Sequence, residues 1–184
     1  GDDGDLEAGV PWPEPRFTDN NNGTVTDELT GLVWLKNANC FGQTTWDTAL
    51  SSANNLKNGD CGLSDGSAAG DWRLPNRIEL RSLVDHSRVN PAFPVSHPFV
   101  NIGFQEHIGY WSSTSSANDP RRAWQVYMYN GRIYAGNFKT SQSYLVWPVR
   151  SGITGPVVTS STPNKGGDTG TVTAAIHGSG FVDG

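Results

Sequence analysis

Two runs in the second half of the chain alternate between apolar and polar positions with a period of two. They are AWQVYMY (Ala123 to Tyr129) and RIYAGNF (Arg132 to Phe138), joined by Asn130-Gly131. Asn-Gly between alternating runs predicts a hairpin with a two-residue turn, because both central residues of a type I′ turn need positive φ. That turn would set Tyr129 opposite Arg132, Tyr127 opposite Tyr134 and Gln125 opposite Gly136. Val126, Met128, Ile133 and Ala135 would form an aliphatic face for the core. The other face would carry three tyrosines and an arginine, offered to a ligand, covered by a neighbouring subunit, or packed under a loop.

The same kind of pattern marks the rest of the chain. RFTD and TVTD around Asn22-Gly23 predict a small hairpin, and LVWLK after Thr30-Gly31 a third strand that buries Trp34. Trp46, Ala49, Leu50, Ala53 and Leu56 recur at helical spacing, which predicts a helix from a Thr45 cap to about Lys57. In PNRIELRSLV, Asn76 and Glu79 stand three apart as a capping box for a second helix. GYWSST and SYLVWPVR read as further strands. HSRVNPAFPVSHPFVN is too long for a plain connection and reads as a surface-shaping loop. Trp34, Trp46, Trp72, Trp111 and Trp124 read as core, with Trp147 less clearly placed.

Three segments follow from this reading. Residues 1–15, acidic and then Pro-rich, predict an extended arm, residues 16–150 the main domain, and residues 151–184 a short β segment. The last has about 30 residues and two strands, too few to bury a core alone, so it should dock on something else. The chain opens GDDGDLEAGV without a Met, as a processed chain would.

Composition narrows the class. Charged residues are only 17% of the chain while Gly numbers 22 and Trp seven, a balance of turn-rich extracellular proteins. A net charge of -5 argues against nucleic acid as a partner. No apolar run is long enough for a membrane span. Cys40 and Cys61 would close a loop of about 20 residues if bridged, worth roughly 3 kcal/mol; two buried thiols are the alternative. Neither has a Cys or His at metal-ligand spacing.

In order, GDWRLPNRIELRSLVD (Gly70 to Asp85), YWSST (Tyr110 to Thr114), AWQVYMYNGRIY (Ala123 to Tyr134) and YLVWPVR (Tyr144 to Arg150), preceded by RFTDNNNGTVTDELTGLVW, resemble the bacterial Lcl C-terminal domain family, named for the Legionella collagen-like adhesin. The resemblance covers about residues 16 to 150. It implies an α+β, C-type-lectin-like domain, two helices against twisted antiparallel sheets, used outside the cell for binding; in the named adhesin such a domain goes with trimers and sulfated glycosaminoglycans. Retroelement variable proteins of related fold carry a ligand face in a similar stretch. Carried over by position, that implies Tyr127, Tyr129, Arg132, Tyr134 and Asn137 as ligand-binding residues. The tail, TVTAAIHGSGF with its Pro and Gly residues, resembles the opening of an IPT/TIG immunoglobulin-like module.

Other chemistry reads as weaker. DNNNGTVTD (Asp19 to Asp27) invites calcium, but placing Gly23 sixth in an EF-hand loop puts Thr18 first and Leu29 twelfth, which removes both carboxylates, so a hairpin turn is the better reading. The EPN and WND calcium motifs of sugar-binding C-type lectins are absent. His86, His97, His107 and His177 are scattered, Asp85-His86 is poor grounds for a triad, and WSSTSS has no nucleophile elbow. The active-site cysteines that a formylglycine-generating enzyme would need late in the domain are missing. The expectation is therefore a secreted or surface-displayed, non-catalytic binding domain without cofactor, recognising a glycan, sulfated glycans included, or a protein. It would be a homo-oligomer. The competing expectation is a structural subunit of a surface filament or appendage, assembled by strand or arm exchange.

Overall fold

The computed structural model describes residues 11–141 and 143–152, together with the backbone of strands 157–162 and 175–179. The chain divides into two compact units, Gly1–Ser151 and Gly152–Gly184. Most of the expected arm, residues 1–10, and most of the IPT/TIG-like segment lie outside the described residues.

The first unit is α+β, compatible with the C-type-lectin-like arrangement implied by the resemblance. Strands β1 (Phe17–Asp19), β2 (Thr24–Asp27) and β3 (Leu32–Leu35) form a meander, completed by β9 (Val149–Ser151) in the order β1-β2-β3-β9. A five-stranded sheet runs β4 (Gln43–Thr44), β8 (Tyr144–Leu145), β5 (Tyr110–Ser115), β6 (Arg122–Val126), β7 (Ile133–Phe138). Its pairs are antiparallel except β5 with β8. In the second unit β10 (Val157–Thr162) pairs antiparallel with β11 (Ala175–Ser179).

The segment SYLVWPVR, expected as one strand, is two. Tyr144–Leu145 joins the five-stranded sheet and Val149–Ser151 the four-stranded one, so this segment ties the sheets together. Between them Trp147 is fully buried and donates its indole N–H to the Leu35 carbonyl at 2.8 Å. Its ring meets Trp34, Phe93, Phe99 and Tyr110 at centroid distances of 5.0–6.1 Å. Trp147 is thus the centre of the core, more firmly than its sequence context indicated. Edge-to-face packing of this kind adds to the burial of the rings themselves.

Two of the aromatic partners, Phe93 and Phe99, come from the Pro-interrupted stretch after Asp85. That stretch shapes the interior as well as the surface, since Ala92, Phe93 and Phe99 are all buried. Trp34, Trp72 and Trp111 are buried as expected, whereas Trp46 and Trp124 are only half-buried. Each of the latter carries a cation on its ring, Lys139 on Trp46 at 3.9 Å and Arg77 on Trp124 at 4.7 Å. A half-buried indole can cover apolar surface on one side and accept a cation on the other.

Helix α1 (Trp46–Asn55) starts after Thr45 and ends two residues short of the expected Lys57. It buries Ala49 and Ala53 against a second cluster that contains Leu74, Trp111, Ala123 and Val146. Helix α2 (Arg77–Ser82) has the complete capping box: the Asn76 side chain accepts from the N–H groups of Ile78 and Glu79, and the Glu79 carboxylate accepts from the Asn76 N–H. Cys40 and Cys61 form a disulfide, with Cα atoms 5.8 Å apart.

Candidate functional site

The hairpin between β6 and β7 exists, with a different register from the one Asn130-Gly131 predicts. Val126 pairs with Ile133 and Gln125 with Tyr134. The Tyr127 N–H donates to the Arg132 carbonyl and the Gly131 N–H to the Tyr127 carbonyl, both at 2.9 Å, so the loop is four residues, Met128 to Gly131. The cause is tertiary. The carbonyls of Met128 and Tyr129 accept N–H groups from Asn90 and Ala92 in the Pro-rich stretch, and Met128 is fully buried. A two-residue turn would turn the Tyr129 carbonyl into the ladder instead.

The shift rearranges the expected face. Tyr127 now stands beside Arg132, and Gln125, not Tyr127, is opposite Tyr134. Tyr129 leaves the paired strands for the loop and does not stand opposite Arg132. Between the pairs Gln125–Tyr134 and Ala123–Asn137, β7 advances three residues while β6 advances two. This bulge returns Asn137 to the side of Gln125, and the Asn137 amide donates to the Gln125 side-chain oxygen at 2.8 Å.

The five residues therefore sort by depth. Tyr127 (7% exposed) and Asn137 (8%) are buried, Tyr129 is half-buried, and Arg132 and Tyr134 are exposed. The Tyr127 ring lies against Gly109, where a Cβ would come within 3.1–3.3 Å of ring carbons, and edge-on to Tyr144 at 6.3 Å. Tyr134 leans along its own strand over Gly136, where any side chain would overlap the ring. The Arg132 guanidinium lies 4.5 Å from the Tyr134 ring centroid and 6.0 Å from that of Tyr127. Among the described residues no carboxylate pairs with Arg132. The nearby Arg121 and Arg122 differ, since both pair with Asp119, at 2.9 and 3.2 Å.

Tyr144 is the member that sequence reasoning missed. It arrives on β8, next to β5, and its ring meets Trp111 edge-on at 4.9 Å. Burial pushes the Tyr144 phenol well above the ordinary tyrosine value; hydrogen bonding to the Tyr127 hydroxyl and the nearness of Tyr134 act in the same direction. It stays a neutral hydrogen-bonding group at any physiological pH. No local pattern signals it, because the strand that carries it is two residues long. The result is an exposed Arg–Tyr pair at the sheet edge, standing on a floor of Tyr127, Tyr144, Gln125 and Asn137.

The oxygen-rich turn at Asp19 to Asp27 is occupied by the protein's own donors. Asp19 accepts from the Lys36 amine at 2.6 Å and from the Asn21 N–H, and Asn22 accepts from Thr24. Asp27 is fully buried against Arg16. Among the described residues no group of three or more His, Cys, Asp or Glu side chains is arranged to hold a metal ion.

Fold and edge together define an α+β domain with a cationic and aromatic margin on its larger sheet. The chain belongs to the Lcl C-terminal domain family, whose model matches residues 23–150. No curated protein matches it. The family is associated with adhesins, which makes this an adhesin-like domain of the kind found on surface proteins. Among the described residues no helix is long and apolar enough to cross a membrane.

Proposed function

We propose that the domain is an extracellular, non-catalytic binding module that takes a glycan, sulfated glycans included, or a protein against the β6–β7 edge. The observation that carries this reading is the exposed Arg132–Tyr134 pair, held in place by buried neighbours. A Tyr ring offers an apolar plane for a sugar face or another ring at small entropic cost. A guanidinium that no carboxylate among the described residues pairs with can take a sulfate or carboxylate in bidentate fashion. Arg132 and Tyr134 are the contact groups, Tyr129 borders them from the loop, and Tyr127 and Asn137 fix the floor.

A second reading, a subunit of a surface assembly, is favoured by one observation: β7 is the edge strand of its sheet. An edge strand of six residues can accept a strand from a neighbouring copy. A glycan-array screen of the purified chain, paired with light scattering on a sizing column, decides between the two. Saturable binding by a monomer or closed oligomer supports the binding module. Concentration-dependent growth of large assemblies without glycan or protein binding replaces it with the assembly subunit.

A further inference from the structure

We propose a second, chemically different ligand site at the opposite margin of the five-stranded sheet, one that takes a neutral sugar. A cavity of about 490 Å³ opens beside β4 and β8, whereas the Arg–Tyr pair sits at β7, the far edge in the strand order. Four carboxamides line it, Asn39, Gln43, Asn101 and Gln105, all with exposed side chains. Its apolar lining comes from Ile102, Ile108 and Leu145. Among the described residues no charged side chain lines it.

The chemistry follows from that lining. A carboxamide both donates and accepts, which matches the hydroxyl groups of a sugar, and it does so without the charge that would select an anion. An aliphatic floor suits the C–H face of a pyranose ring. A cavity of this size lies within the range of small-ligand pockets, and it combines apolar lining with a few convergent polar groups.

The walls are fixed before any ligand arrives. The loop that carries Asn39 is joined to the segment that carries Asn101 by a bridge between Asn37 and Val100, and the Ala38 N–H donates to the Val100 carbonyl at 3.0 Å. The Asn37 side-chain oxygen accepts the Asn39 N–H and the Asn101 amide, both at 3.1 Å, which leaves the Asn101 side-chain oxygen as an acceptor. Cys40, next to Asn39, is tethered to Cys61. Gln43 is held opposite Leu145 in the β4–β8 pair. At the floor, Gly103 donates its N–H to the Tyr110 hydroxyl at 2.7 Å and lies so close to Leu145 and Ile108 that any side chain would displace them. A rigid, uncharged, amide-rimmed cavity costs little to order on binding.

The test is a titration of the full chain, followed by NMR of side-chain amide and backbone resonances, with glucose, galactose, mannose and N-acetylglucosamine, and with glucuronate as the charged control. The expected result is saturable shifts at Asn39, Gln43, Asn101 and Gln105 with at least one neutral sugar and a clearly weaker response to glucuronate. Gln43→Ala and Gln105→Ala, both exposed positions, should each weaken binding by about tenfold. Tyr134→Ala should leave this site's affinity unchanged, so failure here and failure of the β6–β7 reading are separable. Absence of shifts at the four amides at saturating sugar, equal or stronger response to glucuronate, or full retention of binding in both Gln variants would overturn the proposal.

Discussion

Asp27 shows how a single residue organises the start of the domain. Its carboxylate takes Arg16 Nε at 3.2 Å, the Leu29 N–H at 3.1 Å and the Thr30 hydroxyl at 3.0 Å, and it is inaccessible to solvent. Arg16 in turn donates to the Ser82 carbonyl, so the pair links the first hairpin to the end of α2. Such a pair adds little over an apolar replacement of both partners, yet breaking it strands a buried charge. Asp27→Ala should therefore cost about 3–5 kcal/mol in urea unfolding; a loss below 1 kcal/mol would mean that Arg16 finds water. His97 makes a pH-dependent contribution. Burial lowers its pKa from 6.5, against a weaker opposing hydrogen bond with the Phe99 backbone, and its ring meets Phe93 at 5.0 Å. A depressed folded-state pKa means that the unfolded chain binds the proton first. Stability is thus full above pH 6.5 and falls as the pH drops below it. The unfolding midpoint should be lower at pH 5 than at pH 7.5, and His97→Phe should shrink that difference; an unchanged difference would remove His97 as its source.

At the scale of elements, much was legible because the signals were local. The capping box needs only Asn76 and Glu79, three residues apart, and both legs of it form. Asn22-Gly23 marks the first hairpin, where Gly23 has φ +84° and faces the Gly62 carbonyl so closely that a Cβ has no room. The disulfide loop thereby packs on that hairpin, and the Ser64 N–H donates to the Asn22 carbonyl at 2.9 Å. The bridge spans 21 residues in sequence, so Cys40→Ser with Cys61→Ser should lower stability by about 3 kcal/mol. Equal stability of the oxidised and substituted chains would mean that packing alone holds this loop. The β6–β7 register was illegible for a long-range reason. Asn-Gly favours a two-residue turn, but the loop carbonyls go to Asn90 and Ala92, some 40 residues earlier in sequence, and no local pattern records that. The same holds for the split of SYLVWPVR between two sheets.

At the scale of the molecule, the domain is a pair of sheets tied through Trp147, with a cationic, aromatic margin at one end of the larger sheet. The tyrosine-rich hairpin could be read from the sequence. The division of its residues into buried and exposed could not, because it depends on Tyr144 arriving from β8 and on the bulge in β7. That division decides which variants are informative. Replacing Tyr127 removes a buried ring and disturbs folding, whereas Tyr134 and Arg132 are exposed. The most direct measurement is a comparison of the wild type with Tyr134→Ala and Arg132→Ala on an array of sulfated and other anionic glycans and on immobilised cell-surface protein, each variant first matched to the wild type by circular dichroism and thermal unfolding. The account predicts loss of at least about tenfold in affinity for each variant with the fold unchanged. Undiminished binding by both folded variants would contradict it.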